Sequence, residues 1–513
     1  MSQTEFIFDS LDALMQSQNP PKGAGQNWRG GPYFYVEDKA GDITTAGGVS
    51  LRYVYADQFQ LGALGPANGE TLHRAIELTQ ADQTPIFHTG PFSESLTGEQ
   101  SLAFLLNWDR INFLTAGSRI VLNGETYELG DHKINLTNPY HRNLEVSGKQ
   151  YRKRNIISSK VISQAPFDHR VQFQLEKAPK QLKPGDHITV DTTKGPDGCS
   201  AYRGVCEVIS TDRKNANLVI VRVGYPFAKL PTTKSITGRY RAHTTCLKWS
   251  SGRGLAVTTI GGIIRNLIIK GHHNPVTDPP SDGPNDGVLI GEQADNHAAN
   301  VTHVDQVNFG WVQMVSIAVT NWPNNGFQNK GGKMRGVDIV VSLCGHRGFQ
   351  MGNGGAGLVK GIVSSWNANG LEAEKGAVIT ASEGSFTGNL KQGACALYAK
   401  LDISESTIEF NGTHGMDAGF MGDIQGLRVI NRYNGRNGIL CDDLGRIVCL
   451  DSVIEKNNTK QHPKSNEVIA RDGGNIALRG TKIRPDGITT NSGGRVIDPN
   501  GRVIESQQRD KFV

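Results

Sequence analysis

The chain has 513 residues with 62 glycines and 21 prolines, and its 54 Lys and Arg against 49 Asp and Glu give a net charge of +5. Glycine this frequent, without matching proline and without a G-X-Y period, excludes collagen and predicts a fold that turns often. The small and evenly scattered charge gives no electrostatic support for nucleic-acid binding.

The cysteines and the N-terminal residues indicate a protein made in a reducing compartment. Seven cysteines at irregular spacing include no CxxC pair, so we expect no zinc site, no disulfide framework and no cofactor. The N-terminal MSQTEFIFDSLDALMQ lacks the cationic start of a secretory signal. Apolar runs long enough to span a bilayer do not occur, so we expect no membrane insertion.

Five parts of different pattern follow one another along the chain. In order, we predict an extended N-terminal segment, neck helices with the first coils, a small inserted β domain, a parallel β-helix and a C-terminal β segment: 1–55, 56–158, 159–245, 246–480 and 481–513. Apolar spacing predicts helices at 70–80 and 99–108, followed by a strand over 119–127. The predicted insertion lacks the period of the later region and reads as hairpins.

A glycine followed by an apolar residue recurs through the second half of the chain. The intervals are 22, 22, 23, 22 and 23 residues, and the glycines are Gly326, Gly348, Gly370, Gly393, Gly415 and Gly438. After each glycine the side chains alternate, which places one column inward and the next outward. Because Asn-Gly pairs accept the left-handed backbone of sharp corners, we predict a parallel β-helix with 22–23-residue coils.

Motifs in the first 130 residues resemble the phage tailspike and pectate-lyase-like superfamily of right-handed β-helix proteins. They are GGPYFYVED, AGGVSLRYV, YADQFQLGALG and RIVLNGETYEL. The resemblance implies an all-β, right-handed parallel β-helix with an N-terminal α+β cap region. It also implies a homotrimer on a virion tail, assembled in the host cytoplasm and attached to other virion proteins through its N-terminal region. The implied external partner is a bacterial surface polysaccharide.

The predicted outward column carries carboxylates at a spacing suited to glycoside hydrolysis, which uses one protonated and one ionised carboxyl group. Glu372 and Asp417 lie two coils apart, roughly 9–10 Å if each coil adds about 4.8 Å. Glu374 and Asp442 fall two residues further along their strands. We therefore expect catalytic residues among these four; the other interpretation is solvated charge on an outer face.

Further candidates for substrate binding come from short strings and from aromatic residues. PNDGV, with Asp286, and CGHRG, with His346, are similar to motifs of polygalacturonase-type members of the superfamily. That resemblance implies substrate contacts for both residues, although Asn-Asp-Gly is also a good turn sequence. Trp311, Trp322 and Trp366 could present flat faces to sugars, and burial in the core is the alternative.

Three functions are consistent with these patterns. The first is a tailspike that binds a capsule or O-antigen and depolymerises it as a glycoside hydrolase, by carboxylate acid and base catalysis. The second is a non-catalytic glycan-binding adhesin or structural virion spike. The third is a cellular polysaccharide lyase or epimerase, in which a Lys, Arg, His or Tyr side chain would take a proton from a uronate.

Overall fold

A computed structural model shows a chain built mainly of β-strands. It describes isolated segments between residues 6 and 54, and then 69–78, 86–88, 92–113, 117–136, 144–149, 151–180, 182–194, 202–212, 217–257, 262–279, 285–291, 311–463 and 465–506. The chain separates into two compact units. The first comprises Met1–Gly124, Ile134–Gly148 and Thr259–Ile263, and the second comprises Glu125–Lys133, Lys149–Thr258 and Ile264–Val513.

The described residues of the first unit include the α-helices α1 (Gly69–Leu78) and α2 (Gly98–Leu106), which start and end within two residues of the predicted helices. A capping box starts α2. The Thr97 hydroxyl accepts from the Gln100 backbone N–H at 3.3 Å, and the Gln100 side-chain oxygen accepts from the Thr97 N–H at 3.0 Å. These bonds satisfy donors that no carbonyl of the helix can reach. A 3-10 turn, Trp108–Arg110, follows.

Short strands make up the rest of the first unit. One antiparallel sheet contains Tyr33–Val36, Ile43–Thr44 and Ser50–Val54. Parallel pairs join Phe6–Phe8 to Ala24–Gln26, Ile86–His88 to Ile111–Phe113, and both Ser93–Ser95 and Glu145–Ser147 to Arg119–Val121. Two further strands are Ile134–Leu136 and Gly262–Arg265, the second of which begins in this unit. The segment YADQFQLGALG lies outside the described residues.

Three parallel sheets run through the second unit. Sheet 1 contains Thr126–Gly130, Cys246–Trp249, Ile268–Lys270, Ala318–Thr320, Val340–Ser342, Val363–Ser365, Ser385–Thr387, Thr407–Glu409, Ile430–Arg432 and Val453–Glu455. Sheet 2 contains Leu255–Val257, Val288–Ile290, Phe327–Lys330, Arg347–Gly352, Asn369–Glu374, Ala394–Leu397, Met416–Gly419, Ile439–Cys441, Val468–Ala470 and Ile488–Thr490, the last preceded by a 3-10 turn at Pro485–Gly487. Sheet 3 contains Trp311–Val315, Lys333–Val337, Ala356–Lys360, Val378–Ser382, Lys400–Ser404, Asp423–Leu427, Arg446–Leu450, Asn475–Arg479, Arg495–Ile497 and, antiparallel at its edge, Val503–Glu505.

Each turn of this coil adds one strand to each sheet, so the chain is a parallel β-helix. In sheet 2, from Phe327 to Ile439, paired residues on successive turns are 22 or 23 positions apart, as in Phe349 beside Leu371 and Leu371 beside Ala394. The predicted all-β parallel β-helix and its period are therefore confirmed. Inward columns such as Phe327, Phe349 and Leu371 are buried and form a continuous apolar core.

A closed six-stranded barrel, which starts at Arg154 and ends at His243, overlaps the predicted insertion at 159–245. Its strands are Arg154–Ser163, His169–Leu175, His187–Lys194, Gly204–Asp212, Leu218–Val223 and Thr237–His243, paired antiparallel. Its core contains Val171, Phe173, Val221 and Tyr202, and Trp366 of the β-helix packs into the same cluster. Shared packing of this kind fixes the barrel against sheet 1.

The recurring glycines have a different physical role from the one predicted. None of the six has a positive φ, so they do not supply left-handed corners. They are needed because the backbone of the next turn is close: a Cβ on Gly370 would lie 2.3 Å from the carbonyl oxygen of Gly393. Left-handed corners are instead occupied by residues such as Trp366, Tyr398 and Phe420.

Two further expectations, on disulfides and on membrane-spanning helices, can be compared with the described residues only. The six cysteines placed there are buried and free. In this part of the chain, helices long and apolar enough to cross a membrane are absent.

Candidate functional site

Parallel register stacks the predicted outward residues of sheet 2 into one column. Gln328, Gln350, Glu372, Cys395 and Asp417 are successive partners on neighbouring strands. Asp417 therefore lies two turns from Glu372, with Cys395 between them. The position four residues after each recurring glycine forms a second column that contains Glu374 and Asp442. We call these four carboxylates, Glu372, Glu374, Asp417 and Asp442, the acidic face.

Glu372 is the most deeply buried member of the acidic face, at 2% exposure. Arg347, from the preceding strand, donates from Nε to Glu372 Oε1 at 2.5 Å, and Asn369 donates to Oε2 at 3.1 Å. Burial raises the pKa of Glu372, and the Arg347 guanidinium opposes that rise. Because both oxygens are already bonded within the protein, this carboxylate is held in one position and has little access to a ligand.

Asp417 is the titratable group of this face that ionises near neutral pH. Burial raises its pKa to about 7, and the neighbouring Asp442 charge acts in the same direction. Gln392 donates to Asp417 Oδ2 at 3.2 Å and opposes the rise. A carboxyl group that keeps its proton near pH 7 can act as a general acid.

Asp442 is held differently from Asp417. Arg471 donates to Asp442 Oδ2 at 2.8 Å, and the Asp442 side chain is 15% exposed. The strand beside it carries Gly419, whose added Cβ would lie 2.8 Å from Asp442 Oδ1, so glycine leaves room for this carboxylate. One carboxylate paired with a guanidinium therefore stands near one that retains a proton, which is the asymmetry that acid and base catalysis requires.

Glu374 lies at the end of its strand and is partly buried. Lys375 Nζ is 3.7 Å from its Oε1, and both side chains are accessible enough to move. An added Cβ on Gly352, the residue beside it on the preceding strand, would lie 3.1 Å from the same oxygen. The two columns of the acidic face therefore lie side by side on sheet 2, and Gly352 leaves space for the Glu374 side chain.

His346 and Asp286 are both placed close to this region, with different surroundings. Arg347 Nη1 donates to His346 Nδ1 at 2.9 Å, so His346 and Glu372 bind the same guanidinium. Asp286 is 3% exposed; its Oδ1 accepts from the Asn324 side chain at 2.9 Å and from the Asn325 backbone at 3.2 Å. Burial raises the pKa of Asp286 to about 6. Its carboxyl group is occupied in holding a turn, which argues against the predicted substrate contact.

Two of the predicted sugar-stacking tryptophans are core residues. Trp322 is 0% and Trp366 is 1% exposed. Trp322 packs against Trp249 at a ring distance of 5.6 Å, and its indole N–H donates to the Ile269 carbonyl at 3.2 Å. Rings without a free face cannot stack on a sugar, so the predicted role is wrong for Trp322 and Trp366. The side chain of Trp311 lies outside the described residues.

An aromatic pair that sequence reasoning missed lies next to the acidic face. Tyr398 and Phe420 are 52% and 48% exposed and stack on each other with centroids 5.6 Å apart. Each follows the last residue of a sheet 2 strand on successive turns. Arg347, Arg471 and Gln392 were also missed. The parallel register alone does not mark them, since it places Arg347 beside Asn369 rather than Glu372, and Cys395 rather than Gln392 beside Asp417.

The raised pKa of Asp417 makes the stability of the folded protein depend on pH, and this dependence can be measured without a substrate. The pKa of Asp417 in the folded protein, about 7, lies above its usual value of 3.8, so its stabilising contribution is present below about pH 4 and is lost as pH rises through about 7. Asp417→Asn cannot ionise. We expect the melting temperature of Asp417→Asn to rise relative to that of the wild type as the pH is raised from about 4 to about 8. A difference that stays constant over this range would contradict the raised pKa.

No protein-family model and no curated protein matches the chain. Similar solved structures include the A-module of mannuronan C-5 epimerase AlgE4 from Azotobacter vinelandii, with TM-score 0.38, 12% identity, and 74% of this chain and 86% of that chain covered. Another is the enzymatically active domain of tailspike protein 2 of bacteriophage CBA120, with TM-score 0.36, 10% identity, and 92% and 57% covered. The gp54 tailspike of Acinetobacter baumannii phage AP22, solved with A. baumannii capsular saccharide, has TM-score 0.26, 10% identity, and 83% and 77% covered. The chain is a parallel β-helix protein whose chemistry has to be inferred from its own residues.

Proposed function

We propose that the chain is a polysaccharide depolymerase that hydrolyses a bacterial surface glycan on the acidic face of sheet 2. The observation that carries this proposal is the pairing of Asp417, whose pKa is raised to about 7, with Asp442, which is bound to Arg471. Their Cα atoms differ by one turn and two residues along the strand. From strand spacing and rise, this is a separation of roughly 8 Å.

The two carboxyl groups have complementary roles. Protonated Asp417 gives its proton to the glycosidic oxygen as the bond to the anomeric carbon breaks. Ionised Asp442 takes a proton from a water molecule, and the water oxygen bonds to the same carbon. The products are a new reducing end and a new hydroxyl group. This use of a water molecule gives inversion at the anomeric carbon, and the anomer of the new reducing end tests it, because retention would require the second carboxylate to act as nucleophile.

Residues around this pair suit a sugar chain. Gln392, which donates to Asp417, carries an amide able to donate to and accept from hydroxyl groups. Tyr398 and Phe420 add half-exposed rings at the edge of the face, and aromatic surfaces bind the apolar faces of sugars. Glu372 is not the base in this scheme, because Arg347 and Asn369 already occupy its oxygens. It positions Arg347.

The setting of this activity comes from the motif resemblance. We propose a phage tailspike that is carried on the virion as a homotrimer and attached to other virion proteins through its N-terminal region. The trimer is checked by light scattering, which should give three times the mass of one chain. A stable monomer would contradict the proposed tailspike. The proposed hydrolase activity would then be tested separately, by the glycan-cleavage assay.

The hydrolase is tested with a panel of purified capsular and O-antigen polysaccharides. We expect new reducing ends from at least one glycan, without the ultraviolet absorbance that an unsaturated elimination product would add. Absorbance rising with the reducing ends would instead identify a lyase. Saturable binding of a glycan without cleavage would identify an adhesin. Either result would overturn the proposed hydrolysis.

A further inference from the structure

A second candidate site lies away from the acidic face, in a cavity of about 570 Å³ between the barrel and sheet 1. Barrel residues Asp168, His187, Glu207 and Arg222 line one side. The opposite side includes Lys270, from a strand of sheet 1, and His273. Volumes of about 300–1,000 Å³ are typical of small-molecule sites. Both walls belong to the second unit.

The charges on the barrel side of the cavity are matched within the protein. Arg222 donates from Nε to Asp168 Oδ1 at 2.8 Å and from Nη1 to Glu207 Oε2 at 2.7 Å. Arg170 Nη2 is a further cation 3.6 Å from Asp168 Oδ2. Each of the two carboxylates is therefore paired with a guanidinium group, Arg222 within the cavity lining and Arg170 outside it.

Lys270 adds a positive charge that these groups do not match. Its Nζ lies 3.2 Å from His187 Nε2, which must accept because an ammonium group only donates. Burial, and then the Lys270 charge, lower the pKa of His187 well below its usual range, so this imidazole is neutral. Among the described residues, no carboxylate oxygen lies within ion-pair distance of Lys270 Nζ. An ammonium group that lines a cavity and has no carboxylate within ion-pair distance favours an anionic ligand.

His273 supplies a second, independent indication of a ligand. It is 5% exposed, and its buried Nδ1 has no hydrogen-bond partner among the described residues, with the nearest carboxylate oxygen, on Asp278, at 3.8 Å. Buried polar atoms of this kind are usually satisfied. Asn321 donates to the His273 carbonyl at 2.9 Å and so fixes the backbone beside the ring.

We propose that this cavity binds a carboxylate-bearing sugar unit, with the carboxylate on Lys270 Nζ and a hydroxyl group on His273. The anionic character of the ligand follows from the cavity. That the ligand is a sugar rests on the proposed function, because a protein that acts on an acidic polysaccharide needs to hold units it does not cleave. Leu343 adds an apolar wall against which a pyranose ring can pack.

The test is titration calorimetry with defined oligosaccharides. Oligogalacturonate, a hyaluronan tetrasaccharide and an oligomer of N-acetylneuraminate are the acidic probes, and their carboxyl-reduced forms are the neutral controls. We expect saturable binding of at least one acidic probe and roughly tenfold or greater weakening by Lys270→Met. His273→Phe should also weaken binding, because the aromatic ring is kept and the polar atom removed.

Lys248→Met is the matched control. Lys248 is the register partner of Lys270 on the preceding turn, but its Nζ already binds Glu128 Oε1 at 2.8 Å. We expect this variant to bind the probe as the wild type does. If no acidic probe binds, if the reduced forms bind equally well, or if Lys270→Met leaves the affinity unchanged, the cavity proposal is wrong.

Failure of this site is distinguishable from failure of the proposed hydrolysis. Asp417→Asn should bind the acidic probe in the cavity with unchanged affinity, because Asp417 lies on sheet 2 and Lys270 on sheet 1. Probe binding that depends on Lys270 without glycan cleavage would support the cavity and contradict the hydrolase. Glycan cleavage together with probe binding that does not depend on Lys270 would support the hydrolase and contradict the cavity site.

Discussion

Asp417→Asn is expected to lower kcat for glycan cleavage roughly 10²–10⁴-fold, the usual contribution of a general acid. The amide has nearly the same shape but cannot give a proton to the leaving oxygen. Asp442→Asn should lower kcat by a similar factor, because it removes the base that activates water. In the wild type, the rate should fall as pH rises through about 7, where Asp417 loses its proton. Reducing-end assays on the glycan identified by the panel provide the measurement.

Asp402→Asn is the control for this comparison. Asp402 lies on sheet 3, with its Oδ2 3.3 Å from Lys400 Nζ. Its substitution by Asn therefore makes the same chemical change on another face of the β-helix. We expect its kcat to stay within about twofold of wild type. Full activity in both Asp417→Asn and Asp442→Asn would show that another group transfers the proton.

The largest expected effect on stability is at Asn411, in a ladder of buried asparagines. Its Oδ1 accepts from the Asn389 backbone at 3.0 Å and from the Asn389 side chain at 2.9 Å. Its Nδ2 donates to the Phe386 carbonyl at 3.0 Å and to Asn434 Oδ1 at 2.9 Å. Asn411→Ala leaves the Asn389 backbone N–H without its acceptor and removes one of the two acceptors of the Asn389 side-chain amide, which keeps the Ser364 carbonyl at 3.1 Å. At about 1–3 kcal/mol for each buried unsatisfied group, we expect a loss of about 3–5 kcal/mol.

Urea unfolding compared with wild type at one temperature measures this loss. Asn475→Ala is the control, because Asn475 is exposed and its side chain makes one bond, to the Gly473 carbonyl at 2.9 Å. A change of about 0.5 kcal/mol or less is expected there. Equal losses in the two variants would show that the ladder adds nothing specific to the β-helix.

The sequence determines the parallel β-helix because the period and the alternation are local. Gly348 and Gly370 lie one period apart, and the residues after them alternate between apolar and polar side chains, although the polar Gln350 and Glu372 are buried as well. That alternation also correctly placed Glu372 and Asp417 in one outward column. It does not apply at corners, where Trp366 has a left-handed backbone, with φ +62°. Trp366 is buried because a barrel formed by residues far earlier in the chain packs over it.

Long-range pairing also explains why the partners of the carboxylates escaped prediction. Arg347 binds Glu372 across one turn, and Arg471 binds Asp442 across a gap of 29 positions. These contacts depend on side-chain reach between neighbouring strands, which the period does not specify. The cavity beside Lys270 lies between the barrel and sheet 1. Because its walls come from distant parts of the chain, no single stretch of sequence predicts it.

The most direct test of the acidic face is a crystal structure of Asp417→Asn soaked with an oligosaccharide of the glycan that the wild type cleaves. The account predicts a sugar chain across sheet 2, with a glycosidic oxygen within hydrogen-bond reach of residue 417 and a water molecule near Asp442. An oligosaccharide bound elsewhere, with the acidic face empty, would contradict it.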